Sequence, residues 1–221
     1  TSVTETGTGK VVRSLTYGTA NTSGNLANGK LTIAEAGNFY DGTNNFQFRD
    51  TSTYGGTDGR VSQRVTLGGL EGVNQGTFTL GYTWSPLGDV ATVTYPQKAG
   101  VGSARTVTNT YTNGFLTKVA QGATNYASAI SYHTNATVNR VTYGNNVWVD
   151  HAKDPTDMAR PSQITLGNAT SAWDTGSYSF DGAGNIITMT GTSTTDTFVY
   201  DKVSRIKEAR QTVGGVLKTQ S

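Results

Sequence analysis

Residues 178–206 read YSFDGAGNIITMTGTSTTDTFVYDKVSRI, and one short phrase occurs in them twice. An aromatic followed by Asp opens a turn, and an Asn or Arg then leads into a β-branched residue. Phe180, Asp181, Gly184, Asn185 and Ile186 make the first copy. Tyr200, Asp201, Ser204, Arg205 and Ile206 make the second, 20 residues on and position for position. The aromatic ends one strand, Asp bonds back to the backbone after it as an Asx-turn, and Gly supplies a positive φ. The β-branched residue then starts the returning strand. Between the copies, IITMT and TDTFVY are strand-like runs joined by the polar tip GTST. One such unit is two strands and two turns and cannot bury a face alone, so the phrase predicts repetition.

Used as a ruler, the phrase recurs in looser form along the chain. Tyr17 precedes two turn signals, Gly24-Asn25-Leu26 and Gly29-Lys30-Leu31, and the second launches LTIAEAG. NNFQFRD returns, with Phe46 and Phe48 alternating and Asp50 at its end, and a Gly-rich link leads to Gly59-Arg60-Val61. TFTLGYTW ends at Trp84, and Pro86, Gly88, Asp89 and Val90 stand at turn positions. Pro96, which has no backbone donor, ends VATVTYP; AGVG is the expected loop and RTVTNTY returns to Tyr111. Asn113-Gly114 is the strongest two-residue turn signal, with Leu116 opening the next strand and Tyr132 closing its return. In the loosest stretch, DPTDMARPSQI stands where a turn is due, with Arg160 at the Arg/Asn position. The outgoing strands thus start at Leu31, Val61, Val90, Leu116, Val138, Ile164, Ile186 and Ile206. The reading is one repetitive segment over residues 1–221, with about eight hairpins and about sixteen strands, a number at which open sheets tend to curl.

Composition fits strands wetted on at least one face. Only 34% of residues are hydrophobic and 14% charged, while Gly (28), Thr, Asn and Ser abound, so a thick core is not expected. A net charge of +2 with scattered Lys and Arg disfavours nucleic acid as a partner. No cysteine is available for a disulfide or a Cys-based zinc site. No apolar run reaches the length of a membrane-spanning helix. The start without Met and the hairpin-like tail VGGVLKTQS read as a piece of something longer.

Tyr-Asp, Gly-Asn-Ile and Arg-Ile at this spacing resemble the YD repeats of Rhs-type proteins, which also occur in the C component of bacterial Tc toxins and in teneurins. The resemblance is strongest over residues 178–206; Asp is missing after Tyr82, Tyr111 and Tyr132, and Ser204 replaces Gly. It implies an all-β chain of repeated antiparallel hairpins, forming a curved or spiralling sheet that is part of a hollow cocoon. It further implies a bacterial protein, secreted or delivered extracellularly, whose shell encloses a C-terminal toxic cargo. The expected partners are the rest of that shell and its cargo, with self-association possible through open strand edges. The family's autoproteolytic DPxGL-like sequence is not met at Asp154-Pro155-Thr156-Asp157-Met158.

Other readings stay open beside this one. His133 and His151, with Asp150, Asp154 and Asp157 nearby in sequence, allow a metal or acid/base cluster to be imagined, but a surface loop with ordinary polar residues is the stronger reading. No GxSxG, HExxH or EF-hand pattern occurs, and Gly7-Thr8-Gly9-Lys10 lacks phosphate-loop spacing, so no enzyme activity, metal or cofactor is expected. An adhesive or glycan-binding surface is the rival reading, carried by Trp84, Trp148 and Trp173, with Trp148 and Trp173 as its candidate cluster.

Overall fold

The computed structural model describes residues 1–4, 6–7, 11–40, 45–56, 58–70, 73–97 and 103–220. The expected AGVG loop and Lys10 lie outside them. The chain is all-β and divides into two compact units, Thr1–Thr110 and Tyr111–Ser221.

The first unit carries β1 (Ser2–Thr4), β2 (Val11–Tyr17), β3 (Leu31–Tyr40), β4 (Asn45–Gly55), β5 (Arg60–Leu70), β6 (Val73–Trp84), β7 (Val90–Thr94) and most of β8 (Thr106–Thr112). The second carries β9 (Phe115–Gln121), β10 (Thr124–Tyr132), β11 (Val138–Tyr143), β12 (Trp148–Lys153), β13 (Pro161–Gly167) and β14 (Ala172–Asp174). It continues with β15 (Ser177–Phe180), β16 (Ile186–Thr190), β17 (Thr194–Tyr200), β18 (Ile206–Val213) and β19 (Val216–Gln220). Strands β1 to β14 form one open antiparallel sheet in sequence order, and β15 to β19 form a second. Within each sheet every strand therefore pairs with the one before it, which is what short hairpin connections impose.

Both faces of the first unit are chemically mixed. Leu15, Ala34, Asp50, Thr66 and Phe78 stand opposite one another across five strands; the next row, on the other face, is Thr16, Ile33, Thr51, Val65 and Thr79. Neither row is continuously apolar. Burial follows suit: among the described residues the buried hydrophobics are Ala27, Ala120 and Ala127, and no large side chain is fully buried. Stability in such a sheet rests on the backbone ladder and on cross-strand side-chain pairs, which contribute roughly 0.2–1 kcal/mol each. What fixes the register then becomes the central structural question, and the answer lies in the turns.

Some boundaries differ from the sequence reading: β5 and β9 open one residue early, and β13 opens at Pro161, inside the stretch read as a turn, rather than at Ile164, because Pro at the first residue of a strand needs no ladder donor. The strand expected to end at Asp50 runs on through Gly55, so the aromatic at its turn is Tyr54 rather than Phe46 or Phe48. A Gly-rich DTSTYGG stretch reads as a link, yet its Thr, Ser and Tyr side chains suit a wetted strand, and the pairing partners on β5 settle the matter.

Candidate functional site

The two copies of the phrase adopt one geometry. Asp181 Oδ1 accepts from the backbone N–H of Ala183 (2.9 Å) and Asn185 (2.8 Å), and Asp181 Oδ2 accepts from Asn185 Nδ2 (2.9 Å). Asp201 Oδ1 accepts from the N–H of Val203 and Arg205 (2.9 Å each), and Asp201 Oδ2 accepts from Arg205 Nε (2.7 Å). Each loop is closed by the Asp N–H donating to the carbonyl four residues on, at 3.0 and 2.9 Å. The residue before that carbonyl is left-handed: Gly184 at φ +88° and Ser204 at φ +61°. These donors favour the ionised carboxylates and hold both below the usual Asp range, Asp181 through the Asn185 amide first and Asp201 through the Arg205 backbone first.

The same loop forms where the sequence has drifted. Ser85 stands in for Asp: its N–H donates to Asp89 O (2.8 Å), its Oγ accepts from Leu87 and Asp89 N–H (3.2 and 3.1 Å), and Gly88 is left-handed at φ +89°. At His133 the closing bond to Thr137 O survives (2.8 Å), and Ala136 takes the left-handed place at φ +65°. Asp154 caps the loosest loop. It is 3% exposed, accepts from Thr156 N–H (2.8 Å), Thr156 Oγ1 and Arg160 Nε (2.8 Å), and is held far below the usual carboxylate range by the Thr156 hydroxyl and then by Arg160. Asn113 and Gly114 both have positive φ, +51° and +80°, and make the expected tight turn; β9 opens one residue before Leu116.

The aromatic residue anchors each turn to the strand start. Tyr17 pairs with Leu31, Tyr54 with Val61, Trp84 with Val90, Tyr132 with Val138, Phe180 with Ile186 and Tyr200 with Ile206, and the register slips immediately before each aromatic. Such a bulge disrupts the ladder locally and leaves a strand-start group to be satisfied by other means. Polar tips of aromatic rings supply donors. Tyr54 Oη donates to Leu31 O (2.6 Å), Trp84 Nε1 to Val61 O (2.9 Å), Tyr132 Oη to Leu116 O (2.9 Å) and Tyr200 Oη to Ile186 O (2.9 Å). Four of the eight expected strand starts thus receive an aromatic donor from the far end of their own hairpin. At Val90 the donor is Asn109 Nδ2 (2.8 Å), and at Ile164 it is the Thr175 N–H (3.0 Å). This second bond was not foreseen from sequence; its signal is Tyr or Trp rather than Phe at the strand end.

Successive turns are also tied to one another. Lys30 Nζ donates to the carbonyl of left-handed Gly59 and lies 4.9 Å from the Tyr54 ring centre. Arg60 donates to the carbonyl of left-handed Gly88 and lies 5.2 Å from the Trp84 ring. In the second unit Asn135 Nδ2 donates to Asp157 O (3.4 Å), Arg160 covers the Phe180 ring at 3.9 Å, and Asn185 Nδ2 donates to Ser204 Oγ (3.2 Å). Lys30, Arg60, Arg160 and Asn185, each directly before an observed or expected strand start, therefore reach across to the next turn, and Asn135 does so from within its loop. A cation over an aromatic face contributes about 0.5–1 kcal/mol at an exposed site.

In the first unit these clasps border a concavity of about 770 Å³ lined by Lys30, Asp50, Tyr54, Arg64, Tyr82 and Trp84 among others. Its cations are already engaged with the wall: Lys30 with Gly59, Arg60 with Gly88 and Asp58, and Arg64 with Asp50. The Arg64 hydrogen bond lowers the pKa of Asp50, which in turn raises that of Arg64.

The remaining candidates do not assemble as the sequence allowed. His133 Nε2 donates to the His151 carbonyl (2.7 Å), and both histidines line a small pocket of about 150 Å³ that Asp150, Asp154 and Asp157 do not line. Among the described residues no three His, Asp or Glu side chains converge as a metal site. Trp148 and Trp173 do not form a cluster. Trp148 stands opposite Gly167 and Ala172, whereas Trp173 stands opposite Leu166, one residue along and hence on the other face of the sheet. The Trp148 ring covers Gly167 and carries Arg140 at 4.5 Å from its centre.

No protein-family model and no curated protein matches the chain. Among solved structures it is similar to the crystal structure of TcdB2-TccC3-Cdc42, with a TM-score of 0.71 and 15% identity over 93% of this chain and 11% of that one. It is also similar to a Photorhabdus luminescens Tc holotoxin pore, with a TM-score of 0.71 and 14% identity over 93% of this chain and 10% of that one. TcdB2-TccC3 without its hypervariable C-terminal region gives a TM-score of 0.63 and 13% identity over 91% and 12%. The chain spans about a tenth of the length of these toxin chains. At such identity the likeness is one of fold: this open sheet of sequential antiparallel strands is built as stretches of those Tc toxin chains are.

Proposed function

We propose that this chain is a stretch of shell wall of the Rhs and Tc-toxin kind, in which the aromatic-turn phrase is a YD-type structural repeat. The observation that carries the reading is the donor from Tyr54, Trp84, Tyr132 or Tyr200 to a strand-start carbonyl, recurring in hairpins of different length and tip sequence. The periodic residues are consumed in holding one hairpin to the next, and the fold likeness to Tc toxin chains supports the same conclusion. The work of such a wall is steric. It encloses a cargo segment, separates it from its surroundings and opens on delivery, with no chemistry of its own and no cofactor. Its partners are the rest of the shell and the cargo, and its setting is a bacterial polypeptide delivered outside the cell. The mixed faces of the first unit offer enclosed chain few large apolar patches to adhere to.

Limited proteolysis of the longest natural polypeptide containing this segment tests the reading. A variable C-terminal segment should resist protease in the native protein and be cut once Tyr132→Phe and Tyr200→Phe are combined with Asp154→Ala to loosen the wall. Cleavage of that segment at equal rates in native and loosened protein rejects enclosure.

A further inference from the structure

In the second unit a pocket of about 560 Å³ lies where the chain leaves one sheet for the other, between Trp173 and Tyr178 on one side and the 191–194 tip on the other. Its floor is fixed by backbone. Asp174 Oδ1 accepts from Gly176 N–H (2.8 Å), and the Thr175 N–H donates to Ile164 O (3.0 Å). Gly176 has φ +77° and passes so close to Thr190 that a Cβ there would meet the Thr190 carbonyl carbon at 2.5 Å. The corner is therefore tied by its own hydrogen bonds and close backbone packing.

Its chemistry differs from that of the turns. Trp173 is 65% exposed, more than any other aromatic among the described large hydrophobics, and it lines the pocket together with Tyr178, Asp174, Asp196 and the hydroxyls of Thr192 and Ser193. Tyr178, Met189 and Asp196 form one cross-strand row, so the phenol and the Asp196 carboxylate share a face. No Lys or Arg lines the pocket. An exposed indole in a pocket also lined by two Asp and by Thr and Ser residues matches a ligand with an apolar C–H face and a rim of hydroxyl donors. The carboxylates repel anions.

We propose that this pocket is a saccharide site: one pyranose ring stacks on Trp173, and its hydroxyls donate to Asp196 and Asp174 Oδ2. The ligand class is a sugar without acidic groups. The proposal does not depend on enclosure of a cargo, since the pocket is formed within the second unit by itself.

Tryptophan fluorescence and isothermal titration of the full chain with N-acetylglucosamine trimer, lactose, maltotriose and cellotriose test it, with sialyllactose as the acidic arm. At least one neutral sugar should bind saturably and shift the Trp emission to shorter wavelength, and sialyllactose should not bind. Trp173→Ala should weaken binding at least tenfold and Asp196→Asn several-fold, while Trp148→Phe leaves it unchanged. Circular dichroism checks each fold, and Trp173→Phe replaces Trp173→Ala if the latter does not fold. Absence of saturable binding by every neutral sugar up to 10 mM (roughly the weakest affinity worth calling a site) overturns the proposal. So does equal binding by Trp173→Ala, or binding confined to sialyllactose.

Discussion

Removing one hydroxyl from Tyr200 isolates the bond on which the repeat is argued to depend. Tyr200 Oη donates to Ile186 O at 2.9 Å in a partly buried setting, and the register slip between Ser179 and Phe180 interrupts the β15–β16 ladder where Phe180 pairs with Ile186. Tyr200→Phe keeps the ring and leaves the carbonyl short of a partner. An ordinary intramolecular hydrogen bond contributes about 0.5–1.5 kcal/mol, and a buried group left unsatisfied costs about 1–3 kcal/mol. Because the site is only partly buried, the expectation is about 1–1.5 kcal/mol, or a Tm lower by roughly 2–6 °C. Tyr126→Phe is the internal control, since the exposed Tyr126 donates through Oη to the Gln121 side chain rather than to a strand-start carbonyl. Its expected cost is below about 0.5 kcal/mol. Urea unfolding followed by circular dichroism measures both, and Tyr132→Phe should behave as Tyr200→Phe does. If Tyr200→Phe costs no more than Tyr126→Phe, the aromatic-to-carbonyl bond is not what holds the hairpin.

The clasp between turns predicts that Arg60→Met destabilises by about 1 kcal/mol, whereas Arg60→Lys recovers part of the loss by keeping a cation over Trp84; thermal denaturation at matched ionic strength separates them. Ala136 is left-handed at φ +65°, so Ala136→Gly should stabilise the chain by up to about 1 kcal/mol, read from the urea midpoint. Gly144→Ala should be severely destabilising, because its Cβ would fall 1.8 Å from the Asn125 carbonyl oxygen; poor soluble yield or a greatly lowered Tm is the expected result. Asp154, Asp181 and Asp201 all have pKa values lowered on folding, so the stability they contribute is fully present above the unfolded Asp value of about 3.9 and is lost as pH falls through their depressed folded values. Acid titration of the urea midpoint should therefore fall steeply below about pH 4, and less steeply in Asp154→Asn.

The sequence made the turns legible where side chain and backbone agree on one conformation. Asp181 and Asp201 have the short carboxylate that an Asx-turn needs, and Gly184 carries the positive φ. It was less informative where a different residue reaches the same geometry. Ser85 replaces the carboxylate with a hydroxyl, and His133 keeps only the backbone closure, so neither advertises the loop it forms. Tyr54 was missed because the polar stretch before it looked like linker, and only its pairing with Val61 shows it to be strand. The cross-turn ties of Lys30, Arg60 and Arg160 are long-range, formed over 20 residues or more of chain, and no local pattern encodes them. The supposed Trp148 and Trp173 cluster failed on parity alone. Their pairing registers differ by one residue on β13, and in a strand that single step selects the opposite face.

The most direct test of the wall is an electron cryomicroscopy reconstruction of the longest natural polypeptide that contains these residues. Hairpins on either side of this segment should extend its sheet strand by strand, with Tyr54, Trp84, Tyr132 and Tyr200 each next to a turn and a separate segment held inside. A map in which residues 1–221 pack as a closed globule, with no neighbouring strand continuing the sheet and nothing enclosed, would contradict the account.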